Sequence, residues 1–177
     1  MTLEYKINEQ DFLDFLLFTA SKSDRINKQR RKGWVFLIIG SIAIAFYFYL
    51  NENTAMTVSC GIVALAFRLF YPKYFNWRYK KYYKTYIKKN YSKRFGQVTT
   101  LKINNDSIYF KDKLGEAKII LSQVERVDET ANHFFLKIST GLSLVLPKKE
   151  LKNPDRPRER LQNIGLKVND ETNWNWK

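Results

Sequence analysis

Two long apolar blocks dominate the hydrophobic pattern of the chain. Residues 33–50 and 54–71 form runs of eighteen residues each, and Arg68 is the only charged residue in either run. At about 1.5 Å of rise per residue, such a run forms a helix of roughly 27 Å, close to the roughly 30 Å of a hydrocarbon core. Only Asn51, Glu52 and Asn53 separate the runs. The pattern therefore predicts a transmembrane hairpin of two antiparallel helices over residues 33–71.

Two other interpretations of these blocks were weighed. In a soluble protein, about 140 remaining residues, rich in Lys, would have to enclose two helices that are apolar on every side. A secretory signal peptide would start directly behind a short basic segment, whereas here the first block follows 32 residues and a second block comes at once. Membrane insertion is therefore the favoured interpretation.

Basic residues flank the hairpin on one side only, because the turn at Asn51–Asn53 carries one acid and no base. Since Lys and Arg are enriched on the cytoplasmic side, we expect both termini in the cytoplasm. Arg68 lies one turn from that end and can extend its charge to the interface. The flanking bases are Lys28, Arg30, Arg31 and Lys32 before the hairpin, and Lys73, Arg78, Lys80, Lys81, Lys84, Lys88, Lys89, Lys93 and Arg94 after it.

The N-terminal 32 residues predict a strand and a helix on the cytosolic side. Residues 3–7 alternate apolar and polar side chains, which is typical of a strand with one buried face. Asn8 and Asp11 have the spacing of a helix cap, and an apolar stripe follows over residues 12–20. We expect this helix to end near Ser23, with a basic link into the membrane, and the strand to pair with an edge of the C-terminal sheet.

Residues 72–96 predict a separate basic and aromatic helix, because Pro72 interrupts helical hydrogen bonding. Tyr and Phe at positions 71, 75, 79, 82 and 86 fall on one face, and lysines fall on the other. One interpretation is a cytosolic stalk with solvated lysines. Another is that the bases bind anionic headgroups or an acidic protein. The candidate lipid- or partner-binding residues are Lys73, Arg78, Lys80, Lys81, Lys84, Lys88 and Lys89.

From Gln97 onward the apolar period changes to two, as in strands. Strands are predicted at 101–103, 108–111, 118–121 and 124–128, with a hairpin at 133–146, and a short helix follows Asn153 and ends at Gly165. An α+β membrane protein is predicted, with a cytosolic antiparallel sheet or partial barrel capped by a C-terminal helix. The predicted segments are 1–32, 33–71, 72–96 and 97–177.

The order of these elements, together with the motifs SQVERVDET, HFFLKIS and LSLVLPKKE, resembles the YcxB-like membrane proteins of bacteria. The closest local likeness is Val124, Val127 and Glu129 ahead of a hairpin that runs into Pro147 and the lysine pair Lys148–Lys149. This resemblance implies a C-terminal domain similar to a bacterial pleckstrin-homology (PH) fold. The family carries no established activity, so the resemblance assigns no residue a function.

Composition offers little material for catalysis. The 177 residues carry a net charge of +14 but hold one cysteine, Cys60, and one histidine, His133. The chain has no glycine-rich phosphate loop, no HExxH motif and no paired cysteines. Glu125 and Glu129 share one face of a predicted strand, which Asp128 does not, and these two acids are interpreted as a solvated strand face. We expect no enzymatic activity, no catalytic residue, no cofactor and no metal site.

The sequence therefore predicts a bacterial inner-membrane protein whose cytosolic module binds. Its expected partners are the lipid bilayer with its anionic headgroups and a protein partner; nucleic acid is not expected, because proximity to the membrane explains the basic composition. One alternative is an immunity protein against a membrane-active or inner-membrane-targeting toxin. Another is a subunit of a transporter or channel assembly.

Overall fold

The computed structural model describes residues 1–91, 95–113 and 115–176. Within them the chain has the α+β composition that the sequence predicts. The helices are α1 Glu9–Ser21, α2 Asp24–Leu50, α3 Thr54–Tyr91 and α4 Arg156–Asn163. The strands are β1 Thr2–Lys6, β2 Val98–Ile103, β3 Ser107–Asp112, β4 Gly115–Ile120, β5 Val124–Thr130, β6 His133–Ile138, β7 Ser143–Pro147 and β8 Val168–Glu171.

The chain divides into two compact units. The sheet unit consists of residues 1–16 and 84–175, and the helical unit consists of residues 17–83 with the end of the chain from Trp176. Both α1 and α3 run from one unit into the other.

The sheet unit contains two four-stranded sheets instead of the one predicted. The first has the order β1-β2-β3-β4 and is antiparallel throughout. The second has the order β7-β6-β5-β8, in which β8 runs parallel to β5. The predicted pairing of the N-terminal strand is confirmed, because Leu3 of β1 lies opposite Leu101 of β2. The strand β8 was not predicted.

One hydrophobic core joins the two sheets. Leu101, Ile103 and Ile108 enter it from the first sheet, and Phe134 and Leu136 enter it from the second. Leu161 of α4 is fully buried in the same core, and α4 ends before Gly165, whose φ of 85° is readily adopted only by glycine. The predicted capping helix is therefore confirmed.

The second sheet is covered on both faces. Its inner face looks into the core, while on the outer face the ring of Phe135 meets Phe15 of α1, with ring centroids 5.6 Å apart. The α1 helix begins with the predicted cap: Asn8 Oδ1 accepts a hydrogen bond from the Asp11 backbone N–H, and Asp11 Oδ2 accepts one from the Asn8 N–H, both at 2.9 Å. This cap fixes the first turn of the helix that covers the sheet.

In the helical unit, α2 and α3 form the predicted hairpin. At the turn, Asn53 Oδ1 accepts a hydrogen bond from the Met56 N–H, which caps the start of α3. At the other end, the Tyr71 hydroxyl donates to the Arg30 carbonyl at 3.4 Å, and a Cβ at Gly33 would overlap that hydroxyl. The two helices therefore approach closely where their basic flanks begin.

Two boundary predictions around the hairpin are wrong. The basic residues before it are not a link, because α2 already begins at Asp24 with Ser23 as its N-cap. Pro72 does not start a new helix, because α3 continues through it to Tyr91. Proline removes one backbone hydrogen bond, and ring contacts in α3 span it and follow it: Tyr71 meets Phe75, and Phe75 stacks on Tyr79. The predicted basic helix runs to Gly96 and has Lys93 and Arg94 in its last turn, but these two residues lie outside the described residues.

The aromatic stripe of α3 differs from the predicted one. The protected positions recur every four residues, and Phe75 and Ile87 are buried. Tyr82 and Tyr86, which were predicted on the packed face, are 61% and 39% exposed. A strict four-residue spacing drifts around a helix of 3.6 residues per turn, so the protected stripe winds away from these two side chains. The protected residues are Tyr71, Phe75, Tyr79, Tyr83 and Ile87.

Candidate functional site

The apolar stretches of α2 and α3 are almost entirely uncovered. Both helices are long and apolar enough to cross a membrane, and only 6% and 0% of their most apolar eighteen-residue windows are buried. Phe36 is 79% exposed and Ile39 is 61% exposed. The core helix of a soluble protein would be mostly buried, and these two helices are not. Within the described residues, the protein itself does not cover the apolar surface of α2 and α3.

The seven candidate basic residues are all exposed on α3. Lys73, Arg78, Lys80 and Lys81 belong to the helical unit, and the remaining three, Lys84, Lys88 and Lys89, belong to the sheet unit. The structure therefore assigns the predicted site to two units.

In the helical unit the bases occur together with aromatic rings. Trp77 is 58% exposed, and the Lys81 ammonium lies 5.1 Å from the centre of its ring. On the same unit, the Arg68 guanidinium lies 5.7 Å from the centre of the Trp34 ring. Tryptophan and basic side chains are both typical of the zone between hydrocarbon and water. Both contacts lie toward the end of the apolar helices at which Tyr71 meets Arg30.

A buried ionic network in the sheet unit was not predicted. Asp11 of α1 is its centre: Asp11 Oδ1 lies 3.1 Å from His133 Nε2 and accepts a hydrogen bond from Lys149 Nζ at 2.9 Å. Both Asp11 and His133 are buried, and the His133 ring stacks on Phe135. Burial alone would raise the pKa of Asp11, but the hydrogen bonds from His133, the Asn8 N–H and Lys149 outweigh it, so that this pKa lies below its usual value.

The prediction of a solvated acidic face is wrong for Glu129, one of its two residues, and Asp128 on the other face of the strand is buried as well. Glu125 is exposed, but Asp128 and Glu129 are buried, because β5 is an inner strand of a sheet covered on both faces. Asp128 receives hydrogen bonds from Arg126 Nε at 2.6 Å and Asn169 Nδ2 at 3.0 Å.

Glu129 is paired through both of its carboxylate oxygens. Its Oε1 accepts a hydrogen bond from Lys148 Nζ at 2.7 Å, and its Oε2 lies 2.9 Å from Arg158 Nη1 of α4. Both carboxylate oxygens of Asp11 and Asp128 have hydrogen-bond partners, while Glu129 has a hydrogen bond at Oε1 and an ion-pair contact at Oε2. An arrangement in which every buried acid is paired stabilises a specific packing of strands and helices.

Sequence reasoning missed this network for identifiable reasons. The Asn8–Asp11 cap and the Lys148–Lys149 pair were both recognised, but only as local features. Asp11 and His133 are separated by 122 positions, and no local pattern indicates that they meet. Within the described residues, no group of three or more His, Cys, Asp or Glu side chains is arranged to hold a metal ion.

Comparison with known proteins gives one match. The family model described as YcxB-like protein matches residues 103–164, from the end of β2 to the last residues of α4. No curated protein and no solved structure matches the chain significantly. The matched segment contains His133 and the acids of β5, but not the helical hairpin or the seven basic residues of α3. Over residues 103–164 the resemblance to the YcxB-like proteins that the sequence motifs predicted is confirmed.

Proposed function

We propose that the chain is an integral protein of the bacterial inner membrane, and that its cytosolic unit is a PH-like binding module that works at the anionic membrane surface. In this proposal α2 and α3 cross the bilayer, with both termini in the cytoplasm. The observation that carries it is the uncovered apolar hairpin with basic and tryptophan side chains at one end only.

The apolar surface supports the bilayer part of the proposal. An uncovered surface made of two adjacent apolar helices is far larger than the scattered apolar side chains of a soluble protein surface. Lipid chains cover such a surface at no cost in hydrogen bonds, because the backbone groups of each helix are paired within the helix.

The asymmetry of the hairpin supports the orientation. The turn holds Asn51, Glu52 and Asn53, while the opposite end holds Arg30, Lys73 and their basic neighbours. Positive residues are retained on the cytoplasmic side during insertion. This orientation places the sheet unit in the cytoplasm.

Electrostatics supports recognition of anionic lipid. Each basic residue held near an anionic leaflet contributes about 1 kcal/mol, and this contribution falls off within a screening length of about 10 Å at 0.1 M salt. Lys73, Arg78, Lys80 and Lys81 directly follow the apolar stretch of α3, so they lie within that distance of the headgroups if the hairpin is inserted.

Topology is tested by cysteine labelling of the full chain. Cys60 is replaced by alanine and Asn53 by cysteine, and intact cells are treated with a thiol reagent that does not cross the membrane. Labelling at position 53 from outside is expected, since Asn53 lies in the turn. A cysteine at position 53 that reacts only after the cells are opened would contradict the proposed orientation.

Lipid recognition is tested on the full chain in bilayer discs of mixed zwitterionic and anionic lipid. The lipids retained by the protein after release are counted by native mass spectrometry. Enrichment of anionic lipid is expected, and replacement of Lys73, Arg78, Lys80 and Lys81 by glutamine should bring the retained ratio down to that of the disc.

A matched control removes the same charge elsewhere. Glutamine at Lys113, Lys118, Lys152 and Lys167, which are exposed in the sheet unit, should leave the enrichment intact. A further variant, with glutamine at Lys84, Lys88 and Lys89, measures whether the lysines of the sheet unit contribute. Equal enrichment in all variants would show that the bases only orient the hairpin, and would favour a protein partner for the module.

A further inference from the structure

An open groove of about 710 Å³, here called the basic groove, lies on α2 at the basic end of the hairpin. Two rows of side chains line it, and within each row the residues are four positions apart. Arg31, Val35 and Ile39 form one row, and Lys32 and Phe36 form the other. Residues four apart lie on the same face of a helix. Each row therefore begins with a base and continues toward the turn with apolar side chains.

The basic groove has a charged end and an apolar end. Its apolar side chains Val35, Phe36 and Ile39 are exposed. Arg31 and Lys32 are exposed as well. Side chains on a helix lean toward its N-terminus, so the charges of Arg31 and Lys32 lie toward the start of α2, away from the apolar side chains. The two ends of the groove thus differ in the kind of molecule that they attract.

The positive charge of the basic groove is not neutralised by the protein. Among the described residues, neither the Arg31 nor the Lys32 side chain has a hydrogen-bond or ion-pair partner. Within the helical unit the acids are Asp24 and Glu52. Asp24 precedes Arg31 by seven residues, or about 10 Å along the helix axis, and Glu52 lies at the far end of α2, in the turn. At that separation salt screens most of the interaction between exposed charges.

A second open groove, at the turn, has the opposite charge. This turn groove has a volume of about 500 Å³ and is lined by the aromatic ring of Tyr49, by apolar side chains and by Glu52. Among the described residues that line it, Glu52 carries the one charge. The two grooves of the hairpin are therefore both apolar in part, but only the groove at the basic end attracts an anion.

An anionic phospholipid has the chemistry that matches both ends of the basic groove. Its phosphodiester accepts charge-assisted hydrogen bonds from a guanidinium and an ammonium group, and the amide of Gln29, which also lines the groove, is a further donor. Its acyl chain covers the apolar side chains. Inorganic phosphate would leave those side chains uncovered, and a second copy of this chain in a two-fold arrangement would bring like charges together. A zwitterionic lipid carries a cation of its own, which the two bases repel.

We propose that the basic groove binds one anionic phospholipid, with the phosphodiester between Arg31 and Lys32 and an acyl chain along Val35, Phe36 and Ile39. This inference rests on the membrane insertion of the hairpin proposed above. It adds a discrete lipid site on α2 to the general attraction exerted by the bases of α3.

The test places a photoreactive residue in each groove. Benzoylphenylalanine replaces either Phe36 or Tyr49, both of which are aromatic and exposed. The full chain is inserted into bilayer discs of equal parts phosphatidylglycerol and phosphatidylcholine and illuminated, and its lipid adducts are identified by mass spectrometry. At position 36 the phosphatidylglycerol adduct should exceed the phosphatidylcholine adduct about tenfold, which corresponds to about 1.4 kcal/mol. At position 49 the two adducts should be equally abundant, as the lipids are in the disc.

Charge changes on α2 locate the headgroup. With the photoreactive residue at position 36, the pair Arg31→Gln and Lys32→Gln should bring the adducts to the ratio of the disc. The matched control, Arg25→Gln with Lys28→Gln, removes two charges from exposed positions of the same helix outside the groove and should keep most of the excess. An excess that both pairs of changes reduce equally would show attraction without a site and would overturn the proposal.

The remaining outcomes separate this inference from the proposed insertion. Equal adducts of the two lipids at positions 36 and 49 would overturn the lipid site and leave insertion of the hairpin intact. Adducts that join two chains at position 36 in place of lipid would show that a second copy covers the groove, and would also overturn the site. The absence of lipid adducts at both positions would contradict insertion itself, and the inference with it.

Discussion

Removal of the Asp11 carboxylate should weaken the packing of α1 on the second sheet. Asp11→Ala eliminates three contacts at once: the hydrogen bond from the Asn8 N–H, the 3.1 Å contact with His133 Nε2 and the 2.9 Å hydrogen bond from Lys149 Nζ. Asp11→Asn keeps the shape and an acceptor oxygen but removes the charge. The two variants therefore separate the loss of the carboxylate from the loss of all acceptor atoms.

The structure sets the relative size of these losses. His133 is buried, so its lost partner is not replaced by water, and breaking such a buried pair costs about 3–5 kcal/mol. The Lys149 side chain is half exposed, and water takes over much of that contact, so its share is about 0–1 kcal/mol. We expect about 3–5 kcal/mol for Asp11→Ala, and about 1–3 kcal/mol for Asp11→Asn, the range for hydrogen bonds to charged groups.

Hydrogen exchange measured by mass spectrometry checks this on the full chain in micelles. Each 1.4 kcal/mol changes an opening equilibrium about tenfold, so peptides from the start of α1 and from β6 should exchange roughly 10²- to 4 × 10³-fold faster in Asp11→Ala. Peptides from the α2–α3 turn serve as the internal control and should not change. Lys149→Ala is the matched variant, with an increase below about tenfold.

The pH dependence provides a second readout. The pKa of Asp11 is lowered in the folded protein from its usual value of 3.8, so the carboxylate stabilises the folded state fully above that pH and loses this effect as the pH falls toward the folded-state pKa. The contribution of the Asp11 charge to the difference between the native chain and Asp11→Asn should therefore narrow below about pH 4. An exchange rate in α1 and β6 that is the same in Asp11→Ala and the native chain would refute the reasoning.

Three further predictions concern the fold. Tyr5→Phe removes a buried hydroxyl without a described partner and should raise the free energy of unfolding by about 1 kcal/mol in a denaturant titration; a clear loss would show that the hydroxyl is paired. Deletion of Thr2–Lys6 uncovers the edge of β2 and should reduce the protease resistance of the sheet unit; unchanged resistance would contradict this. Gly33→Ala forces the Tyr71 hydroxyl to move and should lower the melting temperature of the hairpin by a few degrees, whereas Gly40→Ala, with open space around it, should not.

Local features of the structure could be predicted because their signals lie within a few residues. Eighteen apolar residues on each side of Asn51–Asn53 define the two helices of the hairpin, whatever surrounds them. The Asn8–Asp11 cap and the end of α4 at Gly165 are equally local, since one hydrogen-bond pair and one positive φ decide them. The period-two pattern after Gln97 identified most strands, although not their division into two sheets.

Other features depend on neighbours that are distant in sequence. Val168–Glu171 is too short and too polar to predict as a strand, and it becomes one because the free edge of β5 offers it hydrogen bonds. Pro72 predicts a break, yet α3 passes through it, and the contact between the Tyr71 and Phe75 rings spans the proline.

By itself the sequence determined which segments are apolar enough to need cover, which segments form most of the helices and strands, and which end of the hairpin is basic. Only the tertiary structure decided which acids are buried. Glu125 and Glu129 were interpreted as a solvated face of one strand, but cover on both faces of β5 removes Asp128 and Glu129 from water and makes Arg126, Lys148 and Arg158 necessary partners. The same holds for Asp11 and His133, which meet only because α1 packs on the second sheet. Burial and pairing depend on how helices and strands pack in three dimensions, and the pattern of residues along the chain does not specify that packing.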